Sequence, residues 1–365
     1  GKSLLEFAEG KALGEDGARW LAIHTANVWG NDKVSFDDRE LWTEMNTAWI
    51  LECAADPIKN TRWMDADKPF GFLAACFEWA GYHQDGDDHI SHLPIAMDGS
   101  CSGLQHFGAM LKDEGTCRAV NVIQTGDTPQ DVYSVVLQKV QQLVDASDDP
   151  MATQWSTRLH RNIVKQPVMT SVYSVTRRGI QGQITTWIKK LVDKRDIEAF
   201  EDVTEFQAAM WLAPIVVEAI GDELSAATLA MDWLKHACGV VSATGALMEW
   251  QTPVGFTVFQ SYRALDAKKV KITWAGKTQE IRIKTQSKKL APKKCVNGIA
   301  ANFVHSQDAA HLMLVANTAK QHGVDSFAFI HDSFGTHACN TTLLNTILRE
   351  AFITQYEGDT LGDLY

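Results

Sequence analysis

The sequence predicts an α+β fold, mostly helical, with a small antiparallel sheet. Three observations carry that: long stretches with apolar residues at helical spacing, a short apolar run at 93–97 (LPIAM), and two segments patterned as hairpins. Residues 16–29, 37–55 and 68–82 read as helices, with Trp20, Trp42, Trp49, Trp63 and Trp79 as core side chains. The run at 93–97 fits a buried strand, and Asp98-Gly99 marks the turn that ends it. Thr128-Pro129-Gln130-Asp131 reads as a helix start, with a threonine cap, proline at the first position and an acid at the third. That helix is expected to reach about 144. Further helices are expected at 180–193, 204–236 with an interruption near Pro214, 304–321 and 341–356.

Arg161, Lys165, Met169 and Tyr173, in RNIVKQPVMTSVY, recur every fourth residue, so on a helix they share one face. Pro167 interrupts the stretch and predicts either a restart or a kink there. The first hairpin pattern runs over 270–274 and 280–284 about Ala275-Gly276-Lys277, and it is basic. In the second, 326–330 and 334–338 flank His331-Asp332-Ser333 at the tip. No internal repeat and no low-complexity tract is present.

With 365 residues, 45% of them hydrophobic, the chain can bury a large core in two or three subdomains. No apolar run approaches the roughly 18 residues that would span a bilayer, so no membrane partner is expected. Seven cysteines, odd in number and never spaced CxxC, argue against a disulfide framework or a zinc knuckle and for a reducing, intracellular setting. The net charge of −11 counts against a polyanionic partner. The distribution reverses that expectation locally. Residues 260–294 hold eleven Lys or Arg against two acids, so one face can bind a polyanion while the rest repels it. The cluster of His83, His89 and His92 with Asp85, Asp87 and Asp88 lacks zinc or calcium spacing and reads as a polar surface loop. A start at Gly1 without methionine and a stop at Tyr365 suggest a piece of something longer.

The chemistry is concentrated in two aspartates on either side of the basic helical face. Taken singly, an Asp after an apolar run is usually a turn former or a cap. Together they specify more. Asp98 at a strand end and Asp332 at a hairpin tip can meet over one sheet. Carboxylates are hard oxygen ligands for Mg²⁺, and two such ions about 3.5–4 Å apart serve nucleotidyl transfer. That reaction also needs fixed positive charge on a triphosphate, which a Lys and an Arg supply.

MDGSCSGLQH around Asp98, R(x)3K(x)3M(x)3Y over 161–173, and HDSFG around Asp332 resemble, in that order, motifs A, B and C of the phage-type single-subunit RNA polymerases, a family shared with mitochondria. GIAANFVHSQDAAHL at 298–312, AVN at 119–121 and the opening GKSLLEFAEGKALGEDG look like the same family, so the resemblance runs over essentially the whole chain. It implies a DNA-directed RNA polymerase, a nucleotidyltransferase, with a right-hand fold of palm and fingers. Residues 1–92 would be a palm-associated helical insertion and 93–118 palm with motif A. Residues 119–304 would be fingers, with motif B and a specificity-loop-like basic hairpin at about 260–294. Residues 305–365 would be palm with motif C.

By the same resemblance Asp98 and Asp332 bind two Mg²⁺ ions, with the Gly99 carbonyl as a further ligand. Lys165 acts in catalysis and, with Arg161, holds the triphosphate. Met169 binds substrate, and Tyr173 lies at the nascent base pair. Tyr173 with His305 favours a ribose 2′-OH, and His331 lies near the RNA 3′ end. The implied partners are a double-stranded DNA promoter and template, nascent RNA and NTPs, engaged by a monomer. The setting is a host cytoplasm for a phage protein, or a mitochondrion. One residue departs from the pattern: Ser174 stands where the family has Gly, which bears on sugar discrimination.

The family's amino-terminal domain, thumb and first palm strand pair would lie upstream of Gly1 and its terminal foot downstream, so these 365 residues are expected to bind and extend weakly alone. Three rival readings differ by motif. A family A DNA polymerase shares the two aspartates and the Arg/Lys helix, but Gly99, Val168-Met169-Thr170 and Ser333 replace its typical residues. A noncatalytic nucleic-acid-binding remnant predicts eroded metal ligands, which are intact. Gly1-Lys2-Ser3 could be the tail of a P-loop, without the glycine and strand that would confirm it.

Overall fold

Apolar side chains at three- and four-residue intervals build the first helical layer. The computed structural model describes residues 6–362, so the Gly1-Lys2-Ser3 triplet lies outside the described residues. A short strand β1 (Lys11–Ala12) precedes α1 (Gly14–Trp29), α2 (Phe36–Met45), α3 (Thr47–Ala55) and α4 (Pro69–Asp85). Leu21, Ile23, Ile50 and Phe72 are fully buried there with Trp20 and Trp79, while Trp42, Trp49 and Trp63 pack against the same cluster. The tryptophans are core, as their spacing predicts. The helix expected over 37–55 breaks at Asn46. Its side-chain amide donates to the Trp42 carbonyl at 2.7 Å and its Oδ1 accepts from Trp49 Nε1 at 2.8 Å, a local competition with helical backbone bonding.

Next come β2 (Ile90–Ser91), which pairs with β1, and β3 (Ile95–Asp98). They are followed by α5 (Ser102–Leu111), α6 (Glu114–Ala119), α7 (Val132–Asp145), α8 (Pro150–Ser156), α9 (Arg161–Ser171), α10 (Arg177–Lys194), α11 (Glu205–Glu223) and α12 (Ser225–Ala243). These helices share the largest core, with Leu104, Phe107, Trp155, Ile163 and Ile184 fully buried. α7 starts at Val132, later than Thr128 suggests, because the Gln130 N–H is taken by Asn121 Oδ1 at 2.6 Å. Pro167 neither restarts nor ends α9; its ring lies on the buried face beside Val164 and Val168. Pro214 likewise sits inside an unbroken α11, and the interruption falls at Leu224 instead. α12 outruns the expected end at 236, since Leu234, Cys238 and Ser242 continue its buried stripe.

Two hairpins follow, β4 (Met248–Gln251) with β5 (Thr257–Gln260) and the longer β6 (Arg263–Trp274) with β7 (Lys277–Leu290). Ala275 (φ 50°) and Gly276 (φ 73°) form a two-residue turn with both residues left-handed, the geometry that suits the strand twist of a hairpin. The register puts Val270, Ile272, Trp274 and Ile281 on one face and Lys269, Lys271, Arg282 and Lys284 on the other, and both faces are exposed.

The chain closes with α13 (Pro292–Gln321), β8 (Ala328–Ile330), β9 (Ser333–Thr336) and α14 (Thr341–Gln355). α13 begins at Pro292 rather than 304. The added turns bury Cys295, Ile299, Ala300 and Phe303, and the inward stripe continues through the polar Gln307, Asp308 and His311. β3, β9 and β8 form an antiparallel sheet in that order, with only His331 and Asp332 in the turn between β8 and β9. Val315, Leu344 and Ile347 pack with Phe334 of this sheet. The fold is α+β, dominated by helices around small antiparallel sheets. All seven cysteines are free, and among the described residues no helix is long and apolar enough to cross a membrane.

Truncating the fully buried Phe107 to Ala should cost about 3–5 kcal/mol, whereas Ile58→Ala should stay within about 0.5 kcal/mol. Ile58 is 87% exposed. Urea unfolding midpoints of the two variants read the difference.

Candidate active site

Asp98 is the last residue of β3 and pairs with Ser333, while the Gly99 N–H donates to the Asp332 carbonyl at 3.2 Å. The ladder and this bond bring the backbones of the two aspartates to one end of the sheet, Asp332 lying in the turn one residue before Asp98's partner. Asp98 is exposed and Asp332 half-buried. His331, with φ 55°, begins the turn and is exposed beside them. A Cβ at Gly99 would meet Gln105 Oε1 at 2.8 Å and stand 3.7 Å from Asp332 Oδ2, so glycine keeps open space beside that carboxylate. Among the described residues no group of three or more His, Cys, Asp or Glu is placed to hold a metal. Two carboxylates and a backbone carbonyl nonetheless fit Mg²⁺, which takes one or two carboxylates and completes its shell with water and phosphate. They do not fit a zinc cage.

The outward face of α9 carries Arg161, Lys165 and Met169, opposite the buried Ile163, Val164 and Val168, while Tyr173, the fourth residue of the repeat, falls beyond its end. Met169 is 43% exposed. Arg161 is engaged: its Nε and one terminal nitrogen donate to the two Asp131 oxygens at 2.6 and 2.8 Å. Burial opposes ionisation of Asp131, but the bonds from Arg161 and Ser134 outweigh it and hold the carboxyl below its usual range. The guanidinium lies 4.9 Å from the centre of the Tyr133 ring, and Lys165 Nζ lies 5.9 Å from the same ring. Tyr133 in turn donates to the Ser100 carbonyl at 3.3 Å, just past Asp98. Asn121 ties these parts together. At φ 63°, a conformation asparagine tolerates, it donates to Ser100 Oγ at 2.7 Å and to the Gln130 carbonyl at 2.9 Å.

Beyond the end of α9, Tyr173 stacks on His305 of α13, with ring centres 4.5 Å apart and 23° between planes. A Cβ at Gly103 would come within 2.7 Å of Val172 Cγ2 and 3.2 Å of the Tyr173 hydroxyl, so glycine in the first turn of α5 lets the Val172-Tyr173 segment pack closely. Burial first, then the surrounding groups Cys101, Asp308 and Asp332, pushes the Tyr173 hydroxyl up to about 12. Burial lowers His305. One turn further along α13, Asp308 accepts from Ser102 Oγ at 3.0 Å and bonds His106 Nε2 at 3.2 Å, and His106 Nδ1 bonds the Tyr356 hydroxyl at 2.6 Å. Here too burial opposes ionisation and the bonds from His106 and Ser102 overcome it, so the Asp308 carboxyl lies below its ordinary range.

The structure thus gathers Asp98, Gly99, His331, Asp332, Tyr173 and His305 around one sheet end. Asn121, Asp131, Tyr133 and Asp308 were not singled out from the sequence. Asp131 was visible only as an acid at a helix start, and Asp308 only as a polar residue in the SQD run. The histidine cluster near 89 is structural: His89 bonds Glu78 Oε2 at 3.0 Å and fills the space over Gly81.

A family model described as DNA-dependent RNA polymerase matches residues 11–365. The chain belongs to this family. It is 37% identical over 409 residues to the DNA-directed RNA polymerase of Enterobacteria phage T3, an alignment covering 100% of this chain and 46% of the relative. To T7 RNA polymerase of Escherichia phage T7 the identity is 36%, with the same coverage. To the mitochondrial DNA-directed RNA polymerase 1 of Arabidopsis thaliana it is 36% over 377 residues, covering 100% of this chain and 38% of that one. This RNA polymerase family member spans less than half the length of these relatives. The resemblance carried by the three motifs is therefore a family membership.

The Asp308 pair gives this polymerase-family chain an acid-sensitive joint. The folded carboxyl titrates below its unfolded value, so its stabilisation is complete above about pH 4 and is lost as pH falls through the folded value. Asp308→Asn should lower stability by roughly 1–3 kcal/mol at neutral pH. Urea midpoints of variant and parent should converge as pH drops below 4, and a pH-independent gap would contradict the assignment.

Proposed function

We propose that this chain is the catalytic part of a DNA-directed RNA polymerase, transferring ribonucleoside monophosphates from NTPs to an RNA 3′ end along a DNA template. The observation that carries the reading is the placement of Asp98, at the end of β3, and Asp332, in the turn before β9, at one end of the same sheet, with the Tyr173–His305 stack close to Asp332. In this reading the β3–β9–β8 sheet, within 93–118 and 305–365, is the palm of a right-hand fold. Residues 119–304 are fingers and 1–92 a helical insertion on the palm.

Asp98, Asp332 and the Gly99 carbonyl would hold two Mg²⁺ ions, which would supply positive charge against the charge that develops in nucleotidyl transfer. Lys165 sets its ammonium on the triphosphate. Arg161 adds the N–H groups that its pair with Asp131 leaves over, on a guanidinium already fixed in direction. Met169 and Tyr173 pack at the new base pair. The Tyr173 hydroxyl is protonated at neutral pH, as any tyrosine is, and can donate a hydrogen bond near the sugar. With His305 it selects the ribose 2′-OH. His331, at the exposed turn, lies beside the RNA 3′ end. The basic face of β6–β7 suits the phosphates and major groove of duplex DNA, where two strands fit. The working unit is a monomer on promoter, template and transcript, in an infected host cytoplasm or, alternatively, a mitochondrion. Phage and mitochondrial relatives bracket those two settings.

Primer extension on an RNA:DNA scaffold with Mg²⁺ tests the reading. The parent chain should add ribonucleotides in preference to deoxynucleotides, and Asp332→Asn should lower the rate about a hundredfold or more. Extension by deoxynucleotides alone would favour a DNA polymerase, and an undiminished Asp332→Asn rate would remove that residue from the metal site.

A further inference from the structure

We propose that Ser174 sets sugar selectivity by loosening the seat of Tyr173, an inference that rests on the polymerase reading above. After α9 the chain turns with two crossing bonds: the Ser174 N–H donates to the Ser171 carbonyl at 3.0 Å and the Val175 N–H to the Thr170 carbonyl at 3.3 Å. This helix-ending motif requires a left-handed residue at its bend, and Ser174 supplies it with φ 61°. An L side chain there brings Cβ against the following carbonyl, which is why the position favours glycine.

A second feature separates Ser174 from the other left-handed residues. Lys112 and Arg195 adopt the same conformation with side chains in solvent. The Ser174 hydroxyl is buried and has no hydrogen-bond partner among the described residues. Its neighbours are satisfied: Ser171 Oγ donates to the Val168 carbonyl at 2.8 Å and Thr170 Oγ1 to the Gln166 carbonyl at 2.8 Å. One residue thus carries both a backbone strain and an unsatisfied hydroxyl, and it adjoins the tyrosine stacked on His305. The stack and the close fit over Gly103 hold the turn in a shape that Ser174 resists. Opening the turn returns Ser174 to an ordinary backbone conformation, exposes its hydroxyl to water and draws Tyr173 away from His305. A sugar contact that needs Tyr173 seated is then made only part of the time, so the contrast between ribose and deoxyribose shrinks.

Ser174→Gly removes both penalties, and Ser174→Ala removes only the hydroxyl. The glycine variant should slow hydrogen exchange at the Val175 amide roughly tenfold, with a smaller effect from alanine. In scaffold extension, the ratio of kcat/KM for NTP over dNTP should rise severalfold from Ser to Ala to Gly, chiefly through a lower KM for the NTP. A purely structural role would move thermal stability and exchange and leave that ratio alone. Equal ratios in parent and both variants overturn the inference while the polymerase reading stands. A parent that extends with neither nucleotide type, even at the weak level expected of these residues alone, brings down the polymerase reading, and the sugar claim with it.

Discussion

The four-residue ladder between Ile95–Asp98 and Ser333–Thr336 joins segments from opposite ends of the chain, and the geometry around the two aspartates depends on it. Strand side chains alternate in direction, so a slip of one residue would send every side chain of the ladder to the wrong face and set Asp98 opposite a different partner. The apolar pattern fixes the register. Ile95 and Phe334 are almost fully buried, Met97 pairs with Phe334, and no neighbouring register keeps all three against the cores. Because the paired segments are distant in sequence, closing them carries the entropy of a long loop. That loss is offset once, by the large helical core that the intervening chain builds.

Around the ladder, polar contacts tie separate elements to it. Asn121 connects the segment after Asp98 to the approach to α7, where Asp131 grips Arg161 of α9. Asp308 connects α13 to α5, whose glycine lets Tyr173 pack closely. The result is preorganisation by backbone and side-chain bonds that are already satisfied before any substrate arrives. Charge is treated in the same way: the buried carboxylates of the framework have partners, while Asp98 remains exposed.

What the sequence made legible follows from where apolar periodicity decides structure. α1, α4, α10 and α14 carry clean stripes, and their limits lie close to those expected. Asp98 at a strand end and Asp332 at a hairpin tip were legible because a short apolar run and a turn fix those places. α5 and the β4–β5 hairpin were missed, being short elements whose small apolar patterns fit several structures. The early part of α13 was missed because its buried stripe, Cys295, Ile299, Ala300 and Phe303, is short and follows directly on the basic run that ends at Lys294. The split at Asn46 and the late start of α7 reflect single side-chain bonds, to Trp42 and from Gln130, that no propensity encodes. The pair of Arg161 with Asp131 links residues on different helices and is invisible in the pattern of either.

The β6–β7 hairpin stands apart from all of this. Strands of 12 and 14 residues extend about 40 Å, at roughly 3.3 Å per residue. Its side chains lie outside the buried cores, and Lys residues along it discourage edge-to-edge association. A surface that contributes so little to folding is free to drift in sequence. Substitutions there escape the stability threshold that constrains the ladder and the helices, so this arm can acquire a new chemistry while the residues at its base stay as they are.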